Sequence, residues 1–237
     1  MEELKPNEQR AKTAILLIWI VMALEIMSLI SGFLQFDLLQ TIAKGGYISN
    51  ETATTNDSRE QIIAIIYLIA FIISGITFIQ WFRRAYFNLH LKVNNLSHSE
   101  SWAAKSWFVP FVNLYLPYQI MKELFHETKE LLIKNGLTIS ENSMTKSLGW
   151  WWALWIINNF IGQFVFRYSL KAETVDELTI STLASIFANI IGIPLALITI
   201  KIIKEYSNIE PLLNELNDED ESMNDYIISK NNESEVN

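Results

Sequence analysis

Four long apolar runs constrain the fold of this chain more than any other feature of its sequence. The cleanest of them, residues 61–82, contains no charged side chain. About 20 consecutive apolar residues form a helix long enough to cross the hydrocarbon core of a bilayer. We therefore expect an all-α integral membrane protein with four transmembrane helices, at about residues 13–36, 60–82, 149–167 and 178–203.

The segments that flank this membrane domain, which we place at 13–204, are polar. Residues 1–12 form a short N-terminal segment. Residues 205–237 hold ten acidic residues and one lysine, and the whole chain carries a formal charge of −8. This acidic tail is too polar to fold alone, so we expect it to be largely disordered. Because no basic residues are concentrated in a stripe, we expect no nucleic-acid partner.

The basic residues predict which side of the membrane each connecting segment occupies. With four spans, fourteen of the 18 lysines and arginines fall in the two termini and the central segment 83–148. The other four fall in the two remaining loops, at 37–59 and 167–177. Positive residues favour the cytosolic side, so both termini are expected to be cytosolic. A fifth span at 102–121 is the alternative, but it divides the basic residues nine against nine.

The segment between the second and third spans is apolar but broken by prolines. Pro110 and Pro117 each remove a backbone donor and disfavour helix at the preceding residue. We expect a cytosolic helical hairpin within 102–133 that is re-entrant or interfacial. Its second half, 118–133, has an apolar and a charged face and is predicted to be an amphipathic helix on the membrane surface or on the protein itself.

Glu25 stands out in the apolar runs because it is an acid near the middle of the first span. Placing an ionised carboxylate at that depth costs at least ~2.5 kcal/mol. Such a residue is either a functional polar site within the membrane or an acid that pairs with an amide for helix packing. The candidate amides are Asn158, Asn159 and Asn189.

Small and polar residues also align at helical spacing along one face of three spans. These faces include Glu25, Tyr67 and Gly192. They are interpreted either as packing surfaces, because helices in lipid associate through small residues, or as the lining of a polar cavity. The sequence Gly192-Ile193-Pro194 adds a predicted kink in the fourth span.

Motifs for catalysis and for metal or cofactor binding are missing from the sequence. There is no cysteine, and the three histidines, at positions 90, 98 and 126, show no ligand spacing. A phosphate-binding glycine loop and a Gly-x-Ser-x-Gly motif are also missing. We therefore predict no catalytic residue, no metal and no cofactor.

One set of motifs resembles a known family. The motifs are Trp81-x-x-Arg84-Ala85-x-x-Asn88, then Trp107-Phe108-x-Pro110-x-x-Asn113-Leu114-x-x-Pro117-Tyr118, and then the tryptophan-rich start of the third span. Over about residues 60–205 the chain resembles the bacterial membrane family of domain of unknown function 4328. The resemblance implies a multi-pass protein of the bacterial inner (cytoplasmic) membrane and implies no activity.

The family motifs also predict a structural latch. Trp81, Arg84 and Asn88 share one helix face near the end of the second span. We expect Arg84 and Asn88 to hydrogen-bond the carbonyls of the Pro110–Pro117 segment and to bind Asn113. Trp107 belongs to the same set of motif residues. An anionic lipid headgroup at Arg83 and Arg84 is the rival hypothesis.

Three functions are consistent with the sequence. The first is a non-catalytic membrane scaffold or regulatory protein, which would bind a protein partner through helix 118–133 or the acidic tail. The second is a small transporter or channel subunit that uses Glu25, and the third is a membrane-embedded enzyme. A water-accessible cavity at Glu25 favours transport, and a dry bundle favours the scaffold. The lipid bilayer is a partner in each case, and the sequence also allows a homo-oligomer.

Overall fold

The computed structural model describes residues 3–137 and 144–214, and within them every regular element is a helix. The α-helices are α1 (Glu8–Ala43), α2 (Asn50–His90), α3 (Trp102–Lys105), α4 (Leu116–Lys134), α5 (Met144–Ser169) and α6 (Val175–Ile209). A short 3-10 turn, Val112–Leu114, precedes α4. The predicted all-α class is confirmed. The predicted acidic tail lies mostly outside the described residues.

Three helices, rather than the four that we expected, are long and apolar enough to cross a membrane in the described part of the chain. They are α1, α2 and α6. Helix α5 corresponds to the predicted third span and has 26 residues. Its apolar residues are interspersed with four tryptophans, Asn158, Asn159 and Gln163, which lower its mean hydropathy. Three of the four predicted spans are therefore supported by length and apolar composition, and the span at α5 stays a prediction.

The long polar loop expected at 37–59 is mostly helical. Helix α1 continues to Ala43 and α2 already begins at Asn50. The side chain of Ser49 caps α2, because its Oγ accepts a hydrogen bond from the Thr52 N–H at 3.1 Å. Gly45, with φ of 79°, supplies the left-handed residue that ends α1. Polar sequence here indicates helix ends and not an extended loop.

The segment 102–121 does not form a fifth spanning helix. Helix α3 ends at Lys105, and α4 starts only at Leu116. The ten residues between them include Pro110, which has no backbone donor, and Phe111, whose φ is 63°. In contrast, α6 remains helical through Pro194.

The chain divides into two compact units. One contains Met1–Ala11, Ile79–Thr145 and Ile203–Asn237, and we call it the motif unit because it holds the hairpin and the Trp81 motif. The other contains Lys12–Phe78 and Lys146–Ile202, and we call it the apolar unit. Helices α1, α2 and α6 contribute residues to both units.

The motif unit has a densely packed core of large side chains. Phe82, Leu89 and Leu124 are fully buried, and burying each contributes about 1.5–3 kcal/mol. The rings of Trp81 and Phe125 both pack edge-on against Tyr206, with centroids 6.2 and 5.3 Å away. Most apolar residues of α4 are buried in this core, whereas Ile133 near the end of the helix is exposed.

The apolar unit has the opposite distribution. On α2, only 11% of the most apolar 18-residue window is buried, and exposed isoleucines such as Ile62, Ile69 and Ile76 cover its surface. An apolar surface of this extent is unusual for a protein in water and typical of one surrounded by lipid.

Candidate functional site

Glu25 lies in the interior of the apolar unit, although it is an acid. Its relative exposure is 4%. The hydroxyl of Tyr67 on α2 donates a hydrogen bond to Glu25 Oε1 at 3.3 Å. The second oxygen, Oε2, is buried and has no hydrogen-bond partner among the residues that the structure describes. Glu25 is therefore only half satisfied, which is unusual for a buried acid.

Gly192 on α6 makes room for this carboxylate. A Cβ atom added at Gly192 would lie 2.6 Å from Glu25 Cδ and 2.9 Å from Oε2, which is closer than atoms can approach. The missing side chain at Gly192 thus lets α6 contact Glu25 directly. Glu25, Tyr67 and Gly192 join three helices at one point.

The predicted amide partners of Glu25 have other surroundings. Asn159 is exposed, and its Nδ2 donates to the carbonyl of Trp155 at 3.2 Å. Asn158 and Asn189 are half-buried, and Asn158 Oδ1 has no hydrogen-bond partner in the described part of the chain. The one hydrogen bond described for Glu25 comes instead from Tyr67, a residue that the sequence presented only as a member of a polar helix face.

A second polar cluster in the apolar unit joins α1 to the first turns of α2. Arg59 Nε donates to Ser31 Oγ at 2.7 Å, and its Nη2 donates to Asn56 Oδ1 at 2.6 Å. Ser31 Oγ also donates to Glu60, which forms an ion pair with Arg59 at 3.4 Å. Sequence reasoning missed this cluster because it assigned residues up to Arg59 to a loop. The three- and four-residue spacing of Asn56, Arg59 and Glu60 was the available signal.

The motif unit contains a second buried acid, Glu210, which lies directly after α6. Its relative exposure is 6%. Asn88 Nδ2 donates to Glu210 Oε1 at 2.7 Å, and Asn7 Nδ2 lies 3.1 and 2.9 Å from Oε1 and Oε2. Both carboxylate oxygens therefore have a donor. Sequence reasoning placed Glu210 in the acidic tail, although its neighbours Ile209, Leu212 and Leu213 are apolar.

Asn88 also binds the N-terminal segment. Its Oδ1 accepts a hydrogen bond from the Lys5 N–H at 3.0 Å, and its Nδ2 donates to the Lys5 carbonyl at 2.9 Å. Asn7 Nδ2 reaches the carbonyl of Trp81 at 3.4 Å. The motif residues Trp81 and Asn88 thus fasten the segment before α1 and the end of α6 to α2. We call Asn7, Asn88 and Glu210 the carboxylate knot.

The remaining motif residues lie nearby in the same unit. The Arg84 guanidinium is 5.9 Å from the ring centroid of Phe87, and it interacts electrostatically with Glu210. Trp107 Nε1 donates to the Ala103 carbonyl at 3.1 Å, and its ring packs edge-on against Phe82. The Asn113 N–H donates to the Val109 carbonyl at 3.0 Å, whereas Pro117 is buried and Pro110 is exposed. The latch between Arg84, Asn88 and the Pro110–Pro117 segment stays a prediction.

Glu123 on α4 holds the loop that follows α2. Its Oε2 accepts a hydrogen bond from the Tyr86 hydroxyl at 2.6 Å, and its Oε1 accepts one from the Ser97 N–H at 2.7 Å. Burial opposes the charge on Glu123, but these hydrogen bonds outweigh it and place the pKa of the carboxyl below its usual value.

Two open cavities are described, and neither includes Glu25 in its lining. One, of about 300 Å³, lies between the end of α2 and α4, and its lining includes Lys92, Glu127 and Lys134. The other, of about 400 Å³, lies between Phe160 and Phe187 on α5 and α6 and is apolar. Across residues 3–137 and 144–214 there is no group of three His, Asp or Glu side chains that could hold a metal ion.

The comparison with known proteins assigns a family. A family model described as "Domain of unknown function (DUF4328)" matches residues 44–208. No curated protein and no solved structure matches the chain. The match covers most of the chain and includes both predicted motifs. The protein therefore belongs to the DUF4328 family.

Proposed function

We propose that this protein is a multi-pass protein of the bacterial inner membrane that acts as a non-catalytic scaffold or regulatory partner of other proteins. The enclosure of Glu25 carries the proposal. A carboxylate that serves a solute pathway must meet water or solute, whereas Glu25 is 4% exposed and is packed between Tyr67 and Gly192. Its position favours a role in joining α1, α2 and α6.

In this proposal α5 is the fourth membrane helix in spite of its lower hydropathy. It has 26 residues, against the roughly 20 that a span needs. Its large apolar side chains face outward, including Ile157, Phe160 and Phe164, which supports contact with lipid. Four spans also preserve the fourteen-to-four distribution of basic residues, with both termini cytosolic.

Single cysteines test this topology, because the chain has none of its own. Thr54, Thr174 and Asn95 are exposed positions for a membrane-impermeant maleimide. If α5 spans the membrane, Thr54→Cys and Thr174→Cys react from outside intact cells and Asn95→Cys does not. Opposite labelling of Thr54→Cys and Thr174→Cys would remove α5 from the set of spans.

The motif unit is the part that we expect to bind a protein partner. Most apolar residues of α4 are already buried, so the surface that α4 offers is mainly the charged one, which includes Lys122, His126 and Glu130. The acidic residues of the tail 205–237, apart from the buried Glu210, offer a second charged segment. Partner binding would then depend on charge and weaken at high salt.

A small transporter is the second candidate, and one observation favours it. Glu25 Oε2 is buried without a hydrogen-bond partner among the described residues, so this oxygen is available to a proton or a cation. The two proposals differ in whether Glu25 takes part in the movement of a proton or cation across the membrane.

Proteoliposomes separate the two candidates. Purified protein is reconstituted with a pH-sensitive dye inside, and the decay of an imposed proton gradient, with and without a Na⁺ or K⁺ gradient, is measured for the wild type, Glu25→Gln and the control Asp37→Asn. Asp37 is an exposed acid on the same helix. The scaffold predicts the same decay in all three and in protein-free vesicles. Flux that Glu25→Gln abolishes and Asp37→Asn retains would establish transport instead.

Native mass spectrometry of the detergent-purified protein complements this test. It measures whether a second copy, a lipid or another protein stays bound under mild conditions. For a scaffold, we expect a stoichiometric protein complex that dissociates when salt is raised.

A further inference from the structure

A cluster of exposed aromatic residues projects from the motif unit between α3 and α4. We call residues 108–115, with the sequence FVPFVNLY, the aromatic tip. Phe108 and Phe111 are 75% and 81% exposed, and Tyr115 is half exposed. Side chains of this size are rarely left exposed together in water, because each contributes most when it is buried.

Several backbone donors of the aromatic tip are satisfied from within the segment. The Asn113 N–H donates to the Val109 carbonyl at 3.0 Å, and the next two N–H groups donate to the Phe111 and Val112 carbonyls, both at 3.2 Å. Pro110 has no donor to satisfy. Internal satisfaction of backbone donors is what contact with lipid requires, since lipid chains accept no hydrogen bonds.

Phe111, in the middle of the aromatic tip, has an unusual backbone conformation. Its φ of 63° is the one positive φ of a non-glycine residue in the described ranges 3–137 and 144–214. A bulky residue in this region is strained by about 1–3 kcal/mol. A strained backbone that exposes an aromatic side chain points to a surface that is shaped for contact.

The charges around the aromatic tip identify the surface that it fits. No charged residue occurs from Ser106 to Met121, and exposed lysines, Lys105 and Lys122, stand at the two ends of this run. Aromatic side chains between cationic flanks match the lipid–water interface, where rings reach the acyl boundary and ammonium groups bind phosphates.

We propose that the aromatic tip inserts into the lipid–water interface of the bilayer, with Lys105 and Lys122 at the level of the phosphate groups. Insertion is shallow, because the segment is too short and too irregular to cross the hydrocarbon core. The aromatic tip then anchors the motif unit to the bilayer without adding a span. This inference does not depend on the scaffold function.

Spin labels measure the depth of the tip directly. Phe111→Cys is labelled and reconstituted into vesicles of phosphatidylethanolamine and phosphatidylglycerol, and its collision rates with oxygen and with a water-soluble nickel chelate are recorded. Ile69→Cys, on the exposed apolar surface of α2, serves as the lipid reference, and Asn95→Cys, an exposed polar residue of the motif unit, serves as the water reference. The same labels at Phe108 and Tyr115 provide the measurement if Phe111→Cys does not fold.

Insertion predicts an oxygen-to-nickel collision ratio at Phe111 that is several-fold above the ratio at Asn95 and below the ratio at Ile69. A ratio equal to that at Asn95 would overturn the proposal, because it would place the aromatic tip in water. A label that neither reagent reaches would also overturn it, since protein and not lipid would then cover the tip.

Discussion

Glu25 and Glu210 are both buried acids, yet the apolar unit and the motif unit surround them differently. Glu210 has a donor for each carboxylate oxygen, from the amides of Asn7 and Asn88. Glu25 has one donor, Tyr67, and its other oxygen has no partner in the described part of the chain. A buried polar group destabilises the fold when it is unsatisfied. Glu210 should therefore stabilise the contacts between its segments, whereas Glu25 carries the cost of one unsatisfied oxygen.

The comparison indicates how each unit is held together. In the motif unit, polar side chains form a network that ties segments far apart in sequence, such as Lys5, Asn88 and Glu210. In the apolar unit, close approach of helices decides the packing, and Gly192 is fitted to the Glu25 carboxylate. Disrupting the polar network of the motif unit should therefore lower the free energy of unfolding more than disturbing the Glu25 carboxylate, which is already half satisfied.

The largest effect is expected for Asn88→Ala. This change removes the hydrogen bonds to Glu210 and to both backbone groups of Lys5, and leaves the buried Glu210 carboxylate with Asn7 as its remaining described donor. We expect a loss of roughly 3 kcal/mol or more in the free energy of unfolding, seen as a lower melting temperature in detergent. Asn94→Ala, at an exposed position nearby, is the control. Equal melting temperatures for the two variants would contradict the carboxylate knot.

A smaller loss, of about 1–3 kcal/mol, is expected for Gly192→Ala, because the new methyl group overlaps the Glu25 carboxylate. Gly162→Ala is the matched control, since a Cβ there meets no atom within 4 Å. Thermal unfolding of both variants measures the difference.

The double variant Glu25→Ala with Gly192→Ala isolates the contact. If the clash is local, removing the carboxylate recovers most of the stability lost through Gly192→Ala, so the two changes are strongly non-additive. Additive losses would show that Gly192 acts through some other contact of α6.

The smallest effect concerns pH and Glu123. The folded-state pKa of this carboxyl lies below its usual value, so its ionised form is favoured by folding. The resulting stability is present above the unfolded-state pKa of about 4.3 and is lost as the pH falls through the lower folded-state value. Melting temperatures measured from pH 6 downward should fall less steeply for Glu123→Gln than for the wild type. The exposed-acid control Glu3→Gln should follow the wild type, and identical slopes for Glu123→Gln would oppose this account.

Most helices of this fold could be predicted from the sequence, because apolar runs are a local signal. The exceptions have physical causes. Helix α5 is present where the third span was predicted, but tryptophan and asparagine lie among its apolar residues, so its hydropathy is below that of α1, α2 and α6. The start of α2 is polar, and contacts of Arg59 with Ser31, 28 residues away, accompany its helical form.

The sites were harder to predict because they depend on helix rotation and on distant partners. The sequence indicated Glu25 as a candidate site residue. Its hydrogen-bond partner is Tyr67, and that choice depends on how the helices pack. Asn7 and Glu210 are separated by 203 residues, so no local pattern connects them. Asn88 was identified as a candidate through its motif. The motif does not predict its hydrogen bonds to Lys5 and Glu210, because both partners are distant in sequence.

The most direct test of the difference between the two acids compares Glu25→Gln with Glu210→Gln in one detergent preparation. Glutamine at position 210 would turn its one NH₂ group toward the Nδ2 donor of either Asn7 or Asn88, so we expect a loss of roughly 1–3 kcal/mol. Glutamine at position 25 keeps an oxygen for Tyr67 and brings no charge to desolvate, so the melting temperature should stay the same or rise. Equal losses for the two variants, or a larger loss for Glu25→Gln, would contradict the account.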